Sequence, residues 1–292
     1  MKKLTVFANF LIDDEERFLR MKDSFKSFEK AKIDCWVINI RGSYKKKTYI
    51  FLKKNIHKNK LKIFLLTDSA WMKSTKKMLK YIKTKLVFVW VEDHICLINH
   101  KFFNLIINDM IKYNIEYLQY SWYLNGLTIK STRDINYKST KRIIYFNYTK
   151  EKLKKRLRWF KLSKKRNQLD YIISMQSILT LALFKKIILT KEFSFFNSNN
   201  PFSFEKNINQ VQWLPYKCGI VKKEFFCSID DDELNKNYSL ISRGLYPKRK
   251  SRTDMLVIRK NENGSIYNLL GRIYFSSFLE FFKSPIKKIL RY

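Results

Sequence analysis

The sequence predicts an α/β protein in which helices flank a mostly parallel central sheet, followed by a helical, basic C-terminal part. Short runs of β-branched and aromatic residues alternate with helical periodicity as far as residue 113. One run, residues 86–91, is apolar throughout, as expected of a strand buried on both faces. The 292 residues are 46% hydrophobic and 16% aromatic, which is enough for a substantial core.

Four strands and four helices are expected in the N-terminal half. Because strand–helix–strand units make right-handed crossovers, the strands should lie side by side in one sheet. Acidic residues at the start of the first helix suit its dipole, and Arg41-Gly42-Ser43 is a turn signal after the second strand. The strands are expected at residues 4–10, 33–40, 61–67 and 86–91, and the helices at 13–30, 49–58 (the weakest pattern), 70–83 and 101–113. A second apolar unit follows at residues 171–189.

Carboxylates close two of these strands. Asp68 ends the third strand, and the adjacent pair Glu92-Asp93 ends the fourth. Open α/β sheets bind ligands beyond the carboxyl ends of their strands, so we expect these acids at one rim. Two adjacent acids repel each other, and a hard divalent cation that also binds diphosphate oxygens would explain them. The alternative is that each acid is only a solvated strand end.

Composition excludes some classes of protein and leaves others open. The net charge of +35 favours binding to nucleic acid or to an anionic membrane. However, sparse Gly and Pro with abundant Lys, Ile and Asn are typical of AT-rich codon bias, so part of the lysine content need not reflect function. Four cysteines without a CxxC pair and only three histidines argue against zinc and for a reducing compartment. The N-terminus lacks a signal-peptide pattern, and no apolar run approaches the ~20 residues of a membrane span. We therefore expect a cytoplasmic protein, either free or peripheral on the inner face of the membrane.

The order of strands, helices and acids resembles the nucleotide-diphospho-sugar transferase fold of GT-A type, family-2-like bacterial glycosyltransferases. Val91-Glu92-Asp93 matches the position of that family's Asp-x-Asp motif. Residues 173–178 (ISMQSI) and 200–205 (NPFSFE) resemble a paired signature of some bacterial polysaccharide-type transferases. Two positions depart from the pattern: Val91 replaces the first acid of the motif, and Asn39 closes the second strand where many relatives carry Asp.

The resemblance implies an inverting glycosyltransferase that moves a hexose or related sugar from a nucleotide-diphosphate donor to a glycan or lipid-linked acceptor in cell-surface polysaccharide synthesis. Asp93, assisted by Glu92, would hold Mn²⁺ or Mg²⁺ on the donor diphosphate, and Asp68 would contribute to donor binding. Glu205 is the candidate general base, partly desolvated by neighbouring phenylalanine rings. The alternative for Glu205 is an exposed loop acid. The four consecutive acids at 230–233 are typical of the N-terminus of a helix, where negative charge is favourable, and are a weaker candidate for catalysis than Glu205.

On this basis residues 1–128 would bind the nucleotide-sugar. Residues 129–235 would form the acceptor side with a basic helical insertion, and residues 236–292 a basic C-terminal extension. The cationic, aromatic segment 151–166 has three alternatives: a solvated helix, a contact to an anionic membrane or a lipid diphosphate, or a contact to nucleic acid. The terminal segment 278–292 is either an interfacial membrane anchor or a docked core helix. Two other functions stay open. One is a nucleic-acid-binding protein, which charge alone supports because RNA-recognition, KH and zinc-finger patterns are absent; the other is a catalytically silent relative.

Overall fold

Strand–helix repeats build the central sheet from the N-terminus onward. The computed structural model describes residues 2–67, 71–120, 136–155, 176–190, 212–230 and 239–247. The strands are β1 (Leu4–Leu11), β2 (Cys35–Arg41), β3 (Leu61–Phe64), β4 (Leu86–Val89), β5 (His94–Cys96), β6 (Tyr117–Gln119), β7 (Lys138–Ser139), β8 (Ile143–Tyr148), β9 (Ser177–Thr180), β10 (Tyr216–Val221) and β11 (Phe226–Ser228). The helices are α1 (Glu15–Phe28), α2 (Lys45–Asn55), α3 (Trp71–Met78), α4 (His100–Lys112) and α5 (Leu181–Ile188).

Nine of the strands form one sheet in the order β3-β2-β1-β4-β9-β6-β10-β8-β7. The strands β3, β2, β1 and β4 pair in parallel, and so do β6 and β10. Only β9 and β8 run against the common direction. The predicted fold class is therefore confirmed, and the four predicted strands do lie side by side.

The chain reverses its direction of travel across the sheet at β1. It moves outward from β1 to β2 and β3, and then returns to place β4 on the other side of β1. The carboxyl ends of β1 and β4 therefore flank a topological switch point, the position where open α/β sheets form a ligand crevice.

Helices cover both faces of the sheet. On one face α1 places Phe18, Phe25 and Phe28 against the strands, and α2 adds Leu52. On the opposite face α3 and α5 pack around Phe7 of β1. The first helix forms where its apolar residues recur at helical spacing, and Asp14 caps it by accepting a hydrogen bond from the Arg17 amide. This capping fixes the start of α1 at the carboxyl end of β1.

Some element boundaries differ from the sequence prediction. The strand expected to reach residue 91 ends at Val89, and the chain turns at Glu92 and Asp93 before β5. The helix expected at 49–58, whose sequence pattern is weak, begins earlier, at Lys45, because α2 follows directly after the turn at Gly42. The apolar unit expected at 171–189 includes strand β9 and helix α5.

Several predicted features lie outside the described residues: Asp68, Glu205, the 200–205 signature, most of the basic segment 151–166 and the tail 278–292. Within the described ranges, no helix is both long and apolar enough to cross a membrane.

Candidate functional site

The acid pair predicted from the sequence lies on a tight turn at the switch point. Strand β4 is buried along its whole length, and the Trp90 amide still donates to the carbonyl of Phe7 in β1 at 2.8 Å. The chain then turns at Glu92 and Asp93 and enters β5. We call these two residues the acid turn. Their side chains are 18% and 26% exposed, so both carboxylates reach the sheet rim without being fully solvated.

A small second sheet holds the acid turn in place. Strand β5 pairs antiparallel with β11, and the Ile229 amide donates to the carbonyl of Asp93 at 2.7 Å. From α1, the Ser24 hydroxyl donates to the carbonyl of His94 and accepts a hydrogen bond from Trp90 Nε1 at 2.9 Å. The turn is thus tied to β11, to α1 and to β4.

His94 orients the carboxylate of Asp93. Its Nδ1 lies 2.7 Å from Asp93 Oδ1, and its ring is only 2% exposed. The ring packs against Tyr120, whose hydroxyl is occupied by donating to the carbonyl of Val89. A buried imidazole with one nitrogen on a carboxylate restricts the rotation of that carboxylate. The carboxylate of Asp93 is therefore held in a defined orientation.

Glu92 faces Arg17 across the switch point. Arg17 Nη1 lies 3.6 Å from Glu92 Oε1 and donates to the carbonyl of Leu11, the last residue of β1, at 2.8 Å. Burial raises the pKa of Glu92, although the positive charge of Arg17 lowers it in part and the negative charge of Asp93 raises it further. A guanidinium and two carboxylates therefore share the space between the ends of β1 and β4.

A buried charge network fixes α1 against the segment after β11. The side chain of Arg20 is 3% exposed. Its Nε lies 2.8 Å from Glu16 Oε1, and its Nη2 lies 3.5 Å from Asp230 Oδ2. Asp230 is also 3% exposed. The sequence interpretation treated Asp230 as part of a helix N-terminal cluster, whereas the structure buries it one residue after Ile229, which bonds the acid turn. Residues 231–233 lie outside the described ranges.

Asn39 has a structural role at this rim. Its side chain is fully buried; Nδ2 donates to Asn9 Oδ1 at 3.0 Å, and Oδ1 accepts from the Leu66 amide at 2.9 Å. Asn9 Nδ2 in turn contacts the α3 residues Ser74 and Thr75. The two ends of the Asn39 side-chain amide therefore link β2 to β1 and to the segment after β3. An aspartate at this position could not donate the hydrogen bond to Asn9 Oδ1.

The structure places Glu92 and Asp93 on the turn after β4, while Asp68 and Glu205 are outside the described residues, so the predicted grouping of these acids at one rim stays a prediction. Sequence reasoning missed Arg17, Arg20 and His94. One signal was available for Arg17: a cation in the first turn of a helix is unfavourable, so its presence there needed a reason. The buried partners of Arg20 and His94 became visible only in three dimensions.

The acid turn fits one part of a divalent-cation site. Asp93 has a partly exposed, oriented carboxylate, the ligand type that Mg²⁺ and Mn²⁺ prefer. Across the described ranges, no three His, Cys, Asp or Glu side chains are grouped to hold a metal ion. A cation carried on a diphosphate does not need such a group, since one or two carboxylates plus phosphate oxygens suffice. Of the two acids, Asp93 is thus the better candidate for a metal ligand, because Glu92 also faces Arg17.

Comparison with known proteins gave only distant structural similarity. No family model matches the chain, and no curated protein matches its sequence significantly. Staphylococcus aureus TarS aligns with a TM-score of 0.48 and 13% identity over 77% of this chain and 36% of TarS. TarS 1-349 in complex with UDP aligns with a TM-score of 0.47 and 12% identity, over 77% of this chain and 59% of that one. A cytidylyltransferase from Leptospira borgpetersenii aligns with a TM-score of 0.44 and 14% identity, over 90% of this chain and 96% of that one.

The chain spans only about a third of the length of full TarS. We therefore infer function from the residues of the site.

Proposed function

We propose that the protein is a glycosyltransferase that uses a nucleotide-diphosphate sugar and a glycan or lipid-linked acceptor in cell-surface polysaccharide synthesis. The observation that carries this proposal is the position of the acid turn. It lies at the switch point of a mostly parallel sheet, where the Arg17 side chain of α1 donates to the carbonyl at the end of the neighbouring strand β1. A crevice at that point suits a nucleotide, and mixed acidic and basic groups suit its diphosphate.

Each side chain of the site has a part in donor binding. Asp93 and Glu92 would hold Mn²⁺ or Mg²⁺, which when bound neutralises the charge that develops on the leaving diphosphate. Arg17 lies beside Glu92 and supplies positive charge at the same rim. His94 keeps the carboxylate of Asp93 in one orientation, and the Arg20 network keeps α1, and so Arg17, in register with the turn.

For the acceptor step, Glu205 is proposed as the general base. The acceptor hydroxyl would attack the anomeric carbon as the bond from that carbon to the diphosphate oxygen breaks, with inversion, and Glu205 would accept the hydroxyl proton. Glu205→Gln removes the proton acceptor and keeps the side-chain size. A fall in kcat of about 10²–10⁴-fold with donor affinity nearly unchanged supports this role. Loss of donor binding, or an effect below about threefold, contradicts it.

A product assay tests the proposed reaction class. The purified protein is incubated with a panel of nucleotide-diphosphate sugars and Mn²⁺, with and without membrane-extracted glycolipid acceptors. A glycosyltransferase releases a nucleoside diphosphate in an acceptor-dependent manner. Release of pyrophosphate from a nucleoside triphosphate and a sugar phosphate would instead identify a nucleotidyltransferase. The absence of both products, together with binding to nucleic acid, would overturn the proposal.

A further inference from the structure

A cationic surface surrounds the sheet edge formed by β3. Between residues 35 and 91 the sequence has 15 Lys and Arg residues and one acid, Asp68. Eleven exposed lysines of this stretch define what we call the lysine edge: Lys46, Lys47, Lys53 and Lys54 of α2, Lys58, Lys60 and Lys62 leading into and along β3, and Lys73, Lys76, Lys77 and Lys80 of and just after α3.

The topology explains why these lysines share one surface. Strand β3 is the end strand of the nine-stranded order. Helix α2 packs Leu52 onto one face of the sheet, whereas α3 packs Trp71 and Met78 onto the other. Helix α2 packs beside β2, the neighbour of β3, and the Tyr81 ring just after α3 lies 5.0 Å from the Phe64 ring of β3, so both lysine-bearing helices lie on the β3 side of the sheet.

Protection of an edge strand does not account for this arrangement. Lysines on edge strands block pairing with other chains, but only Lys62 lies within β3 itself. The surface also carries exposed aliphatic side chains. Ile50, between the lysine pairs of α2, is 66% exposed, and Leu65, directly after β3, is 43% exposed. Lysines around protruding aliphatic residues are typical of proteins that lie on a membrane surface.

We propose that the lysine edge docks the protein on a bilayer containing anionic lipids, with Ile50 entering the headgroup layer. Lysines near an anionic leaflet each contribute to binding through the surface potential. The residue types of the lysine edge favour anionic lipid over nucleic acid as the binding partner. Arg41 is the only arginine between residues 35 and 91 and is buried, and phosphate recognition in nucleic acids favours the arginine fork.

Docking through this edge places the candidate site near the membrane. The acid turn follows β4, three strand positions from β3, which corresponds to about 14 Å across the sheet. A lipid-linked acceptor would then reach the site without leaving the bilayer. This last step rests on the proposed function, whereas the docking surface itself does not.

Vesicle flotation with the full-length protein tests the proposal. The vesicles are phosphatidylcholine alone or with roughly 30 mol% phosphatidylglycerol, in about 0.15 M NaCl. The edge variant is Lys46→Gln, Lys53→Gln and Lys54→Gln combined. The matched control removes the same charge elsewhere: Lys101→Gln and Lys112→Gln on α4 with Lys141→Gln before β8, in the region where α4 pairs with Arg142.

We expect wild-type protein to bind only the anionic vesicles, and the edge variant to bind about tenfold more weakly or less. The control variant should stay within about twofold of wild type. Ile50→Ser should weaken vesicle binding and leave binding to mixed-sequence RNA unchanged. Equal losses in the edge and control variants, wild-type binding by the edge variant, or binding to RNA but not to vesicles would each overturn the proposal.

A parallel UDP titration separates this proposal from the function. The edge variant should keep the UDP affinity and melting temperature of the wild type. Failure of the wild type to bind any nucleoside diphosphate would overturn the proposed reaction and leave the vesicle result to decide the docking surface.

Discussion

Removal of the Arg20 guanidinium should destabilise the protein far more than removal of a surface charge. Arg20 is 3% exposed and bridges Glu16 at 2.8 Å and Asp230 at 3.5 Å. In Arg20→Met both carboxylates would stay buried without their cation. Breaking a buried pair in this way costs about 3–5 kcal/mol. At about 2.1 cal/mol/K per residue, the unfolding entropy of 292 residues converts this into a fall in Tm of roughly 5–8 °C.

The assay is chemical and thermal unfolding followed by circular dichroism. Lys47→Met is the control, because Lys47 pairs with Glu15 at 3.2 Å where both side chains are more than half exposed. That pair should contribute less than about 1 kcal/mol. A double-mutant cycle with Asp230→Asn should be non-additive, since the two residues share one network. An Arg20→Met variant within about 1 kcal/mol of wild type would refute the idea that this network holds α1 at the site.

Three further variants test the site and its surroundings. Because burial raises the pKa of Glu92, its contribution to stability is fully present below its unfolded pKa of about 4.3 and is lost as pH rises through the higher folded value. Wild type should therefore lose stability relative to Glu92→Gln between acidic and neutral pH, and parallel pH–stability curves would contradict this. Gly42→Ala should cost about 1–3 kcal/mol, because φ is +96° and the new Cβ would lie 2.3 Å from the Ile12 carbonyl oxygen; an unchanged unfolding midpoint would argue against strain there. His94→Asn should weaken Mn²⁺-dependent UDP binding about tenfold, as expected on loss of a residue that orients a metal ligand; a lower Tm with unchanged affinity would make His94 purely structural.

The elements that local sequence determines were the ones that could be predicted. Strands β1, β2 and β4 are apolar runs bounded by clear helical segments, so their burial and parallel pairing followed from the pattern. The acid turn was predictable for the same reason, because it ends an otherwise apolar strand. Asn39 was noticed as a departure from a family pattern, but its paired amide contacts depend on Asn9 and Leu66, which belong to other elements.

Features that depend on distant pairing were not predictable. Strands β5 and β11 have three residues each, too few for a periodic signal, and nearly half of the chain lies between them. The antiparallel insertion of β9 between β4 and β6 also has no local signature. The burial of Asp230 could not be predicted, because its partner Arg20 is far away in the sequence. The neighbouring residues show only a run of acids.

The most direct test of the account is a calorimetric titration of nucleoside diphosphates against wild type and Asp93→Asn, with and without Mn²⁺. We expect wild type to bind UDP or GDP more tightly with Mn²⁺. Asp93→Asn should weaken this binding at least tenfold, equivalent to about 1.4 kcal/mol, while the melting temperature changes by only a few degrees. Binding of no nucleoside diphosphate by wild type, or equal affinities in the two proteins, would contradict the assignment of the switch point as a nucleotide-diphosphate site.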